Sequence, residues 1–380
     1  MAPMTLTSTS PDNDAAAAEA LRLPVVPWLP ATLRKAWRAP GELQIGADPA
    51  RAVVLRNVDT DVAQLIAGLD GTRTLRQVLE QSDARGADGV KADRYREVIR
   101  TLSRKGLVID LADGPEDAGR VQHPLLLGPL ASEIHGRALG SLRASPGGTM
   151  QMRAAARIVV IGGRRIAPAL ASILTASGIR RISLVQPGIV TTTDLVPGGP
   201  TADDLGRPRL DATSDALGRA AAGVSATPLL SGDRPDLVVL TEPEHADGER
   251  ARMLMRTATP FLPVSLQERR VVIGPFVKPG ESSCLSCQEA VRRDLDSSWP
   301  TVDAQLRIAP AIPGDGGETP LVMLGAALAA VQVLQWVDDE RLPETINATL
   351  EISLPELVLE RRYWPRHETC SCRMNSVSRQ

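Results

Sequence analysis

The stretch from Arg157 to Pro200, RIVVIGGRRIAPALASILTASGIRRISLVQPGIVTTTDLVPGGP, leaves the chain few ways to fold. An apolar run (Ile158 to Ile161) meets a Gly-rich turn. An amphipathic segment follows (Leu170, Ile173, Leu174), then Gly178 and a second apolar run from Ile182 to Val185. This is the strand–turn–helix–strand opening of a Rossmann-type α/β domain. Such a turn normally reads G-x-G-x-x-G, so that bare backbone approaches a pyrophosphate at the helix N-terminus. Here the six positions are Gly162, Gly163, Arg164, Arg165, Ile166 and Ala167. Arg164 stands in the middle glycine slot, Gln186 replaces the acid that would hold a ribose hydroxyl, and Gly188 fills the next polar slot. The fold signal is intact and the nucleotide signal is degenerate at Gly162, Gly163, Arg164, Ala167 and Gln186, so no ATP is expected in this chain.

The remaining large-domain elements alternate. Asp236 to Leu240 reads as a buried strand, Ala246 to Arg256 as a helix, and Phe261 to Ser265 and Arg270 to Val277 as strands. An Ala-rich helix and a strand pair over Ala348–Leu359 complete an α/β sheet with helices on both faces. Pro320 to Val337 is long enough to raise the membrane question. It contains Gln332 and Gln335 and lies between Glu318 and Asp338, so a buried core helix is expected.

From Leu23 a smaller domain begins, expected over residues 23–111. Three strand-like runs (Thr32 to Arg38, Glu42 to Gly46, Ala52 to Asn57) are separated by Pro/Gly turns. Asp59 caps a helix carrying Val62, Leu65, Ile66 and Leu69, stopped by Gly71. Thr74 with Gln77 forms a capping box ahead of a second helix. A third, near Val90 to Lys105, places Tyr95, Val98, Ile99 and Leu102 on one face. Leu107 to Leu111 is then extended. The pattern is that of a winged-helix-like α+β domain. The third helix carries Lys91, Arg94, Arg96, Arg100, Arg104 and Lys105, which suit a solvated face, a DNA recognition helix, or one wall of a peptide groove. Residues 1–22, rich in Ser, Thr, Asp and Ala, are expected to be a mobile tail without a secretory signal. Residues 112–156 read as a connector, helical over Leu130 to Leu142, with a second break at Ser145-Pro146-Gly147-Gly148, and the large domain occupies 157–380.

Charge excludes some functions. Forty-three Lys and Arg balance forty-five Asp and Glu, so no polyanion or membrane partner is implied. Two Phe, two Tyr and five Trp are too few for a stacking platform for single-stranded nucleic acid. A cytoplasmic protein is expected.

All four cysteines fall in two pairs, Cys284-x-x-Cys287 and Cys370-x-Cys372. Two-plus-two thiolates suit tetrahedral zinc. A disulfide and a redox Cys-x-x-Cys are the alternatives, the first disfavoured in the cytoplasm. His367, three residues before Cys370, is read as a surface residue or a neighbour of the metal ligands. Asp203-Asp204 and Asp338-Asp339 are read as turns and helix ends.

Four stretches carry a resemblance: Val160–Leu170, Asp194–Arg209 (DLVPGGPTADDLGRPR), Gly274–Pro300 (GPFVKPGESSCLSCQEAVRRDLDSSWP) and Ala348–Cys372. Through them the chain resembles the ThiF-like partner proteins of azoline-forming, YcaO-type cyclodehydratases. The N-terminal domain is similar to the PqqD-like leader-peptide recognition element. The resemblance implies a subunit that binds the leader of a ribosomal precursor peptide as an added strand and presents it to a separate YcaO-type enzyme. It implies zinc on Cys284, Cys287, Cys370 and Cys372, and a peptide groove made by Val53, Val54, Leu55 and Arg56 against Arg94, Tyr95, Val98 and Leu102. ThiF-like folds are often dimeric, so it also admits a homodimer. Activating members of the wider class adenylate a carboxylate. Here Arg209 stands where their lysine is expected, and Thr241-Glu242 where they carry a metal-binding aspartate. A non-catalytic scaffold is therefore expected, with a ThiF-class adenylyltransferase and a winged-helix DNA regulator as alternatives.

Overall fold

The computed structural model describes residues 23–48, 52–83, 89–112, 128–138, 146–162, 164–227, 232, 234–241, 248–267, 269–308, 317–339 and 341–372. They fall into two compact units, Met1–Met150 and Gln151–Gln380.

In the first unit, β1 (Pro27–Trp28) pairs antiparallel with β5 (Ile109–Asp110). A separate antiparallel sheet runs β2 (Lys35–Ala39), β3 (Glu42–Ile45), β4 (Val53–Leu55) in that spatial order, leaving β4 at one edge. Three helices follow: α1 (Thr60–Ala67), α2 (Leu75–Asp83) and α3 (Gly89–Arg104). Asp59 caps α1 as expected, its carboxylate accepting from the Val62 N–H at 2.9 Å. α1 stops earlier than Gly71, at Gly68. Gly71 instead takes φ +76° in the following turn, where a Cβ would lie 2.5 Å from Leu111. The Thr74/Gln77 capping box forms reciprocally, at 2.9 and 3.2 Å. The core joins Leu43 and Ile45 of β3 to Leu65, Ile66, Tyr95, Ile99 and Leu102 of the helices.

α4 (Ala131–Ala138) covers part of the helix expected over Leu130 to Leu142; its last residues and Asp113-Gly114-Pro115 lie outside the described residues. The break expected at Pro146-Gly147-Gly148 is instead the first turn of α5 (Pro146–Ala155). Proline at the first helical position forfeits no hydrogen bond, and its fixed φ suits a helix start.

In the second unit, β6 (Arg157–Ile161), α6 (Ile166–Ala176) and β7 (Arg181–Val185) form the anticipated opening. The chain continues through α7 (Arg209–Ala220), β8 (Leu237–Leu240), α8 (Gly248–Arg256), β9 (Phe261–Gln267) and β10 (Arg270–Ile273). It ends with α9 (Leu285–Leu295), α10 (Trp299–Ile308), α11 (Thr319–Asp338), β11 (Ala348–Ser353) and β12 (Leu359–Tyr363). The seven-stranded sheet runs β12-β11-β10-β9-β8-β6-β7. β7, β6, β8 and β9 are parallel, whereas β9 to β12 form an antiparallel half. The final strand starts later than the sequence suggests: Leu354 to Val358 is turn and loop, and β12 reads LERRY, exposed throughout. An edge strand without a cover lacks the apolar signature of a buried one.

Alternation along β6 divides the interior. Ile158 and Val160 join α6 and α11 on one face; Val159 and Ile161 join α8 and the four cysteines on the other. α11 is the core helix expected, with Leu321, Val322, Ala326, Ala329 and Val333 wholly buried. Its Gln332 is satisfied internally, the side-chain oxygen accepting from both N–H and hydroxyl of Thr345 at 3.0 Å.

Candidate metal centre and the loop after the first strand

Cys284 is the N-cap residue of α9 and Cys287 lies in its first turn; Cys370 and Cys372 lie on the segment after β12. The sulfurs converge: Cys284–Cys287 3.8 Å, Cys284–Cys370 3.7 Å, Cys287–Cys372 3.4 Å, and all four within 4.8 Å of one another. A tetrahedron of thiolates about 2.3 Å from one ion separates its corners by about 3.8 Å. These separations far exceed the S–S bond, near 2.05 Å, of the disulfide alternative. All four side chains are buried. The Cys284 thiol hydrogen-bonds Cys287 and pulls its value down to about 4, while burial pushes Cys372 up to about 12. Four packed thiols cannot all ionise without a cation among them, and together they form a site that can hold a metal ion.

The surroundings fix both halves. The Ser283 N–H donates to Asn347 Oδ1 at 2.7 Å, and the Trp364 N–H to the Asn347 carbonyl at 2.8 Å. Arg292 of α9 lies 5.0 Å from the Trp299 ring and 5.4 Å from the Trp364 ring. Glu289 accepts from Arg292 at 3.1 Å and from Trp299 Nε1 at 2.7 Å. His367 does not point a nitrogen at the sulfurs. Its Nε2 meets Asp294 at 2.7 Å, Nδ1 accepts from Thr369, and its carbonyl accepts the Cys370 N–H at 3.1 Å.

In a Rossmann-type sheet, ligands settle beyond the carboxyl ends of the strands, where strand order reverses. Here that place lies beyond β6, β7 and β8, where Thr241 and Arg209 bond back to the strand ends among the described residues. Gly162 takes φ +141°, and a Cβ there would fall 2.1 Å from Thr241 Oγ1. Thr241 holds that position by donating its hydroxyl to the Ile161 carbonyl at 3.0 Å and its N–H to the same oxygen at 2.8 Å. Gly163 and Glu242 lie outside the described residues; Arg164 is half-buried and Ala167 fully buried in the first turn of α6. Arg209, at the start of α7, folds back onto the end of β7. Its Nη1 donates to the Pro187 carbonyl at 2.8 Å, and its Nε and Nη2 to Asp194 at 3.2 and 3.1 Å. Gly188, in the second ribose slot, is where that guanidinium rests: a Cβ there would meet Nη1 at 2.8 Å. Gln186 is buried, and its Oε1 has no partner among the described residues.

Asp204 serves a turn, as read from the sequence, closing a capping box with Thr201. Asp338 does more than end a helix. It pairs bidentately with Arg153 at 2.9 and 3.0 Å, both side chains buried, and Arg153 also donates to the Ser177 carbonyl at 2.7 Å. Nothing local marks this pair, whose members are 185 residues apart.

In the first unit, Val53 and Leu55 of β4 pack against the core, with Val54 between them; Arg56 pairs with Glu42 at 3.3 Å. Tyr95 and Leu102 are buried in the core and Val98 is half-buried against it. Arg94 reaches from α3 to Asp59 and to the Asn57 carbonyl, both at 2.6 Å. Arg96 pairs with Asp93, and Arg100 and Arg104 with Glu97. Arg94, Arg96, Arg100 and Arg104 of the basic helix therefore lie against carboxylates.

Among solved structures, the chain is similar to Escherichia coli MccB bound to AMPCPP and MccA, with TM-score 0.66 and 16% identity over 91% of this chain and 99% of that one. The microcin C7 biosynthetic enzyme MccB in complex with N-formylated MccA matches with TM-score 0.66 and 17% identity over the same shares. PaaA matches with TM-score 0.63 and 15% identity, over 88% of this chain and 98% of PaaA. No family model matches, and no curated protein matches. The chain therefore shares its α/β fold with MccB and PaaA.

Proposed function

We propose that this chain is a leader-peptide-binding scaffold subunit, which presents a ribosomal precursor peptide to a separate YcaO-type cyclodehydratase for thiazoline or oxazoline formation. One contrast carries the reading. At the carboxyl end of the large sheet Thr241 bonds back to the Ile161 carbonyl and Arg209 pairs with Asp194, whereas β4 is an edge strand of the small sheet among the described residues. A free edge accepts an extended peptide as an added strand.

In this reading the first unit is a winged-helix, PqqD-like recognition element. The leader pairs with Val53, Val54, Leu55 and Arg56, and Arg94 and Val98 of α3 form the opposite wall, with Tyr95 and Leu102 supporting them from the core. MccB has been solved with a peptide, MccA, which supports peptide handling by this architecture. Pairing of the α3 arginines with Asp59, Asp93 and Glu97 favours a peptide wall over a DNA stripe. Cys284, Cys287, Cys370 and Cys372 hold a structural zinc ion, and the chain acts in the cytoplasm, as a homodimer, without turning over ATP.

Fluorescence anisotropy with the labelled leader of the precursor encoded beside this gene tests the reading. Saturable binding at about micromolar concentration is expected for an ordered strand-addition interface. A flat titration would refute it.

A second reading, adenylation of a carboxyl terminus, draws on two observations: MccB has been solved with ATP, and the buried Gln186 side-chain oxygen has no partner among the described residues. Calorimetric binding of magnesium-ATP together with ATP–pyrophosphate exchange decides for it.

A further inference from the structure

β2 is the other edge of the small sheet, opposite β4, and all of its residues are exposed. Lys35 pairs with Ile45 and Trp37 with Leu43, while Ile45 and Leu43 pair in turn with Val53 and Leu55. Directly paired residues share a face of a sheet, so two rows run from the buried core out to Lys35 and Trp37. The indole ends its row 56% exposed.

Charge and bulges protect an edge strand against further pairing, and β2 has both. Arg34, Lys35 and Arg38 are exposed, and the pairing slips between Trp37 and Ala39. These devices discourage another strand, but they do not account for an exposed indole among them. Elsewhere in the unit the cations are spoken for: Arg56 lies against Glu42, and Arg94, Arg96 and Arg100 lie against Asp59, Asp93 and Glu97. Arg34, Lys35 and Arg38 form no ion pair among the described residues, so their charge is available to a partner. Trp and Arg dominate the energy of many protein interfaces. The indole buries a large rigid area, and a guanidinium grips a carboxylate with two parallel bonds. The complement of this surface is a cluster of acidic side chains around an apolar one. A nucleic-acid platform needs successive rings for stacking, and a single indole does not supply them.

We propose that the side chains of Arg34, Lys35, Trp37 and Arg38 form the docking surface for the partner enzyme, covered by an acidic segment of that enzyme with an apolar side chain at its centre. This rests on the scaffold reading above and assigns the surface by which the scaffold holds its catalyst. In that reading the leader lies along β4. β3 separates β4 from β2, so the two edges are about 9.5 Å apart. An enzyme seated on β2 leaves the leader in place, yet stays within reach of a few extended residues.

Biolayer interferometry of the full-length protein against the YcaO-type cyclodehydratase encoded beside this gene tests it, with and without saturating leader. Wild-type protein binds the enzyme in both conditions, and added salt weakens the binding. Trp37→Ala raises Kd about thirtyfold, as expected of a central anchor. Arg34→Glu combined with Arg38→Glu raises it about tenfold or more and removes most of the salt dependence. Leader anisotropy, circular dichroism and the melting transition stay at wild-type values in both variants, since these side chains are exposed and β4 is untouched. Variants that bind the enzyme as tightly as wild type overturn the β2 surface and leave the scaffold reading standing. An enzyme that displaces the leader, or leader binding lost in step with enzyme binding, also overturns it, because the two edges are separate. A wild-type chain that binds leader but no enzyme overturns the surface together with the partner in the reading above. Saturable binding of a single-stranded oligonucleotide, abolished by Trp37→Ala, assigns the patch to nucleic acid instead.

Discussion

Arg153 and Asp338 offer a sharp test of what holds the large unit together. Replacing Asp338 by leucine leaves a guanidinium that is 1% exposed facing an apolar side chain. Arginine cannot shed its proton to relieve the cost, as a buried lysine can. Breaking a buried pair from one side costs about 3–5 kcal/mol. A unit of this length loses roughly 2–4 °C in Tm per kcal/mol. Asp338→Leu is therefore expected to lower the melting transition of the large unit by about 6–20 °C in calorimetry of the full chain. Arg153→Met combined with Asp338→Leu should recover most of that loss, because matched apolar replacement of a buried ion pair is often neutral. The residual cost is the lost bond to the Ser177 carbonyl, about 1 kcal/mol. A single variant that melts within about 2 °C of wild type, or a double variant whose loss equals the sum of the singles, refutes this account.

Other outcomes follow from the same coordinates. Metal analysis of purified protein should give one zinc per chain, and Cys284→Ser should lose the metal and destabilise the large unit. Gly162→Ala pushes a methyl onto Thr241 Oγ1 and should cost about 1–3 kcal/mol in denaturant unfolding; adding Thr241→Ala, which removes the clashing hydroxyl, should return part of it. Asp204 is held below its ordinary value of 3.8, chiefly by the Thr201 N–H. Its stabilising contribution is complete above that ordinary value and fades as pH falls through the folded one, so Asp204→Asn should flatten the acid limb of stability measured between about pH 5 and pH 2. Leader binding should weaken only modestly with added salt, since most α3 arginines are already paired; a steep log–log slope would favour the DNA alternative.

Local rules made much of the architecture legible. Strand–turn–helix periodicity located β6, α6 and β7, and the Asp59 and Thr74/Gln77 caps fixed two helix starts, because those signals lie within a few residues of one another. Burial of α11 could be read from Gln332 and its acidic flanks. The cysteine spacing foretold a quartet, and the structure gathers the four sulfurs. What escaped the sequence is tertiary. Gly71 looked like a helix stop, but the chain turns three residues earlier because Gly68 serves. β12 was placed too early, since its Leu-Glu-Arg-Arg-Tyr composition does not look like a strand. Arg209 was read as a replacement for a lysine; that its guanidinium lies in the space beside Gly188, against Asp194, depends on how the β7–α7 connection folds. The Arg153–Asp338 pair had no signature at all.

Two of the four cysteines sit on the tail that leaves the outermost strand, and the other two open α9, whose Arg292 lies between Trp299 and Trp364. An ion gripped there acts as a rivet through the border of the sheet, joining the last strand to a helix met some seventy residues earlier. Chelation should therefore show first as amide exchange along Leu359–Tyr363, with the parallel strands β6 to β8 still protected. The durability of that border would then be governed by metal supply rather than by packing alone.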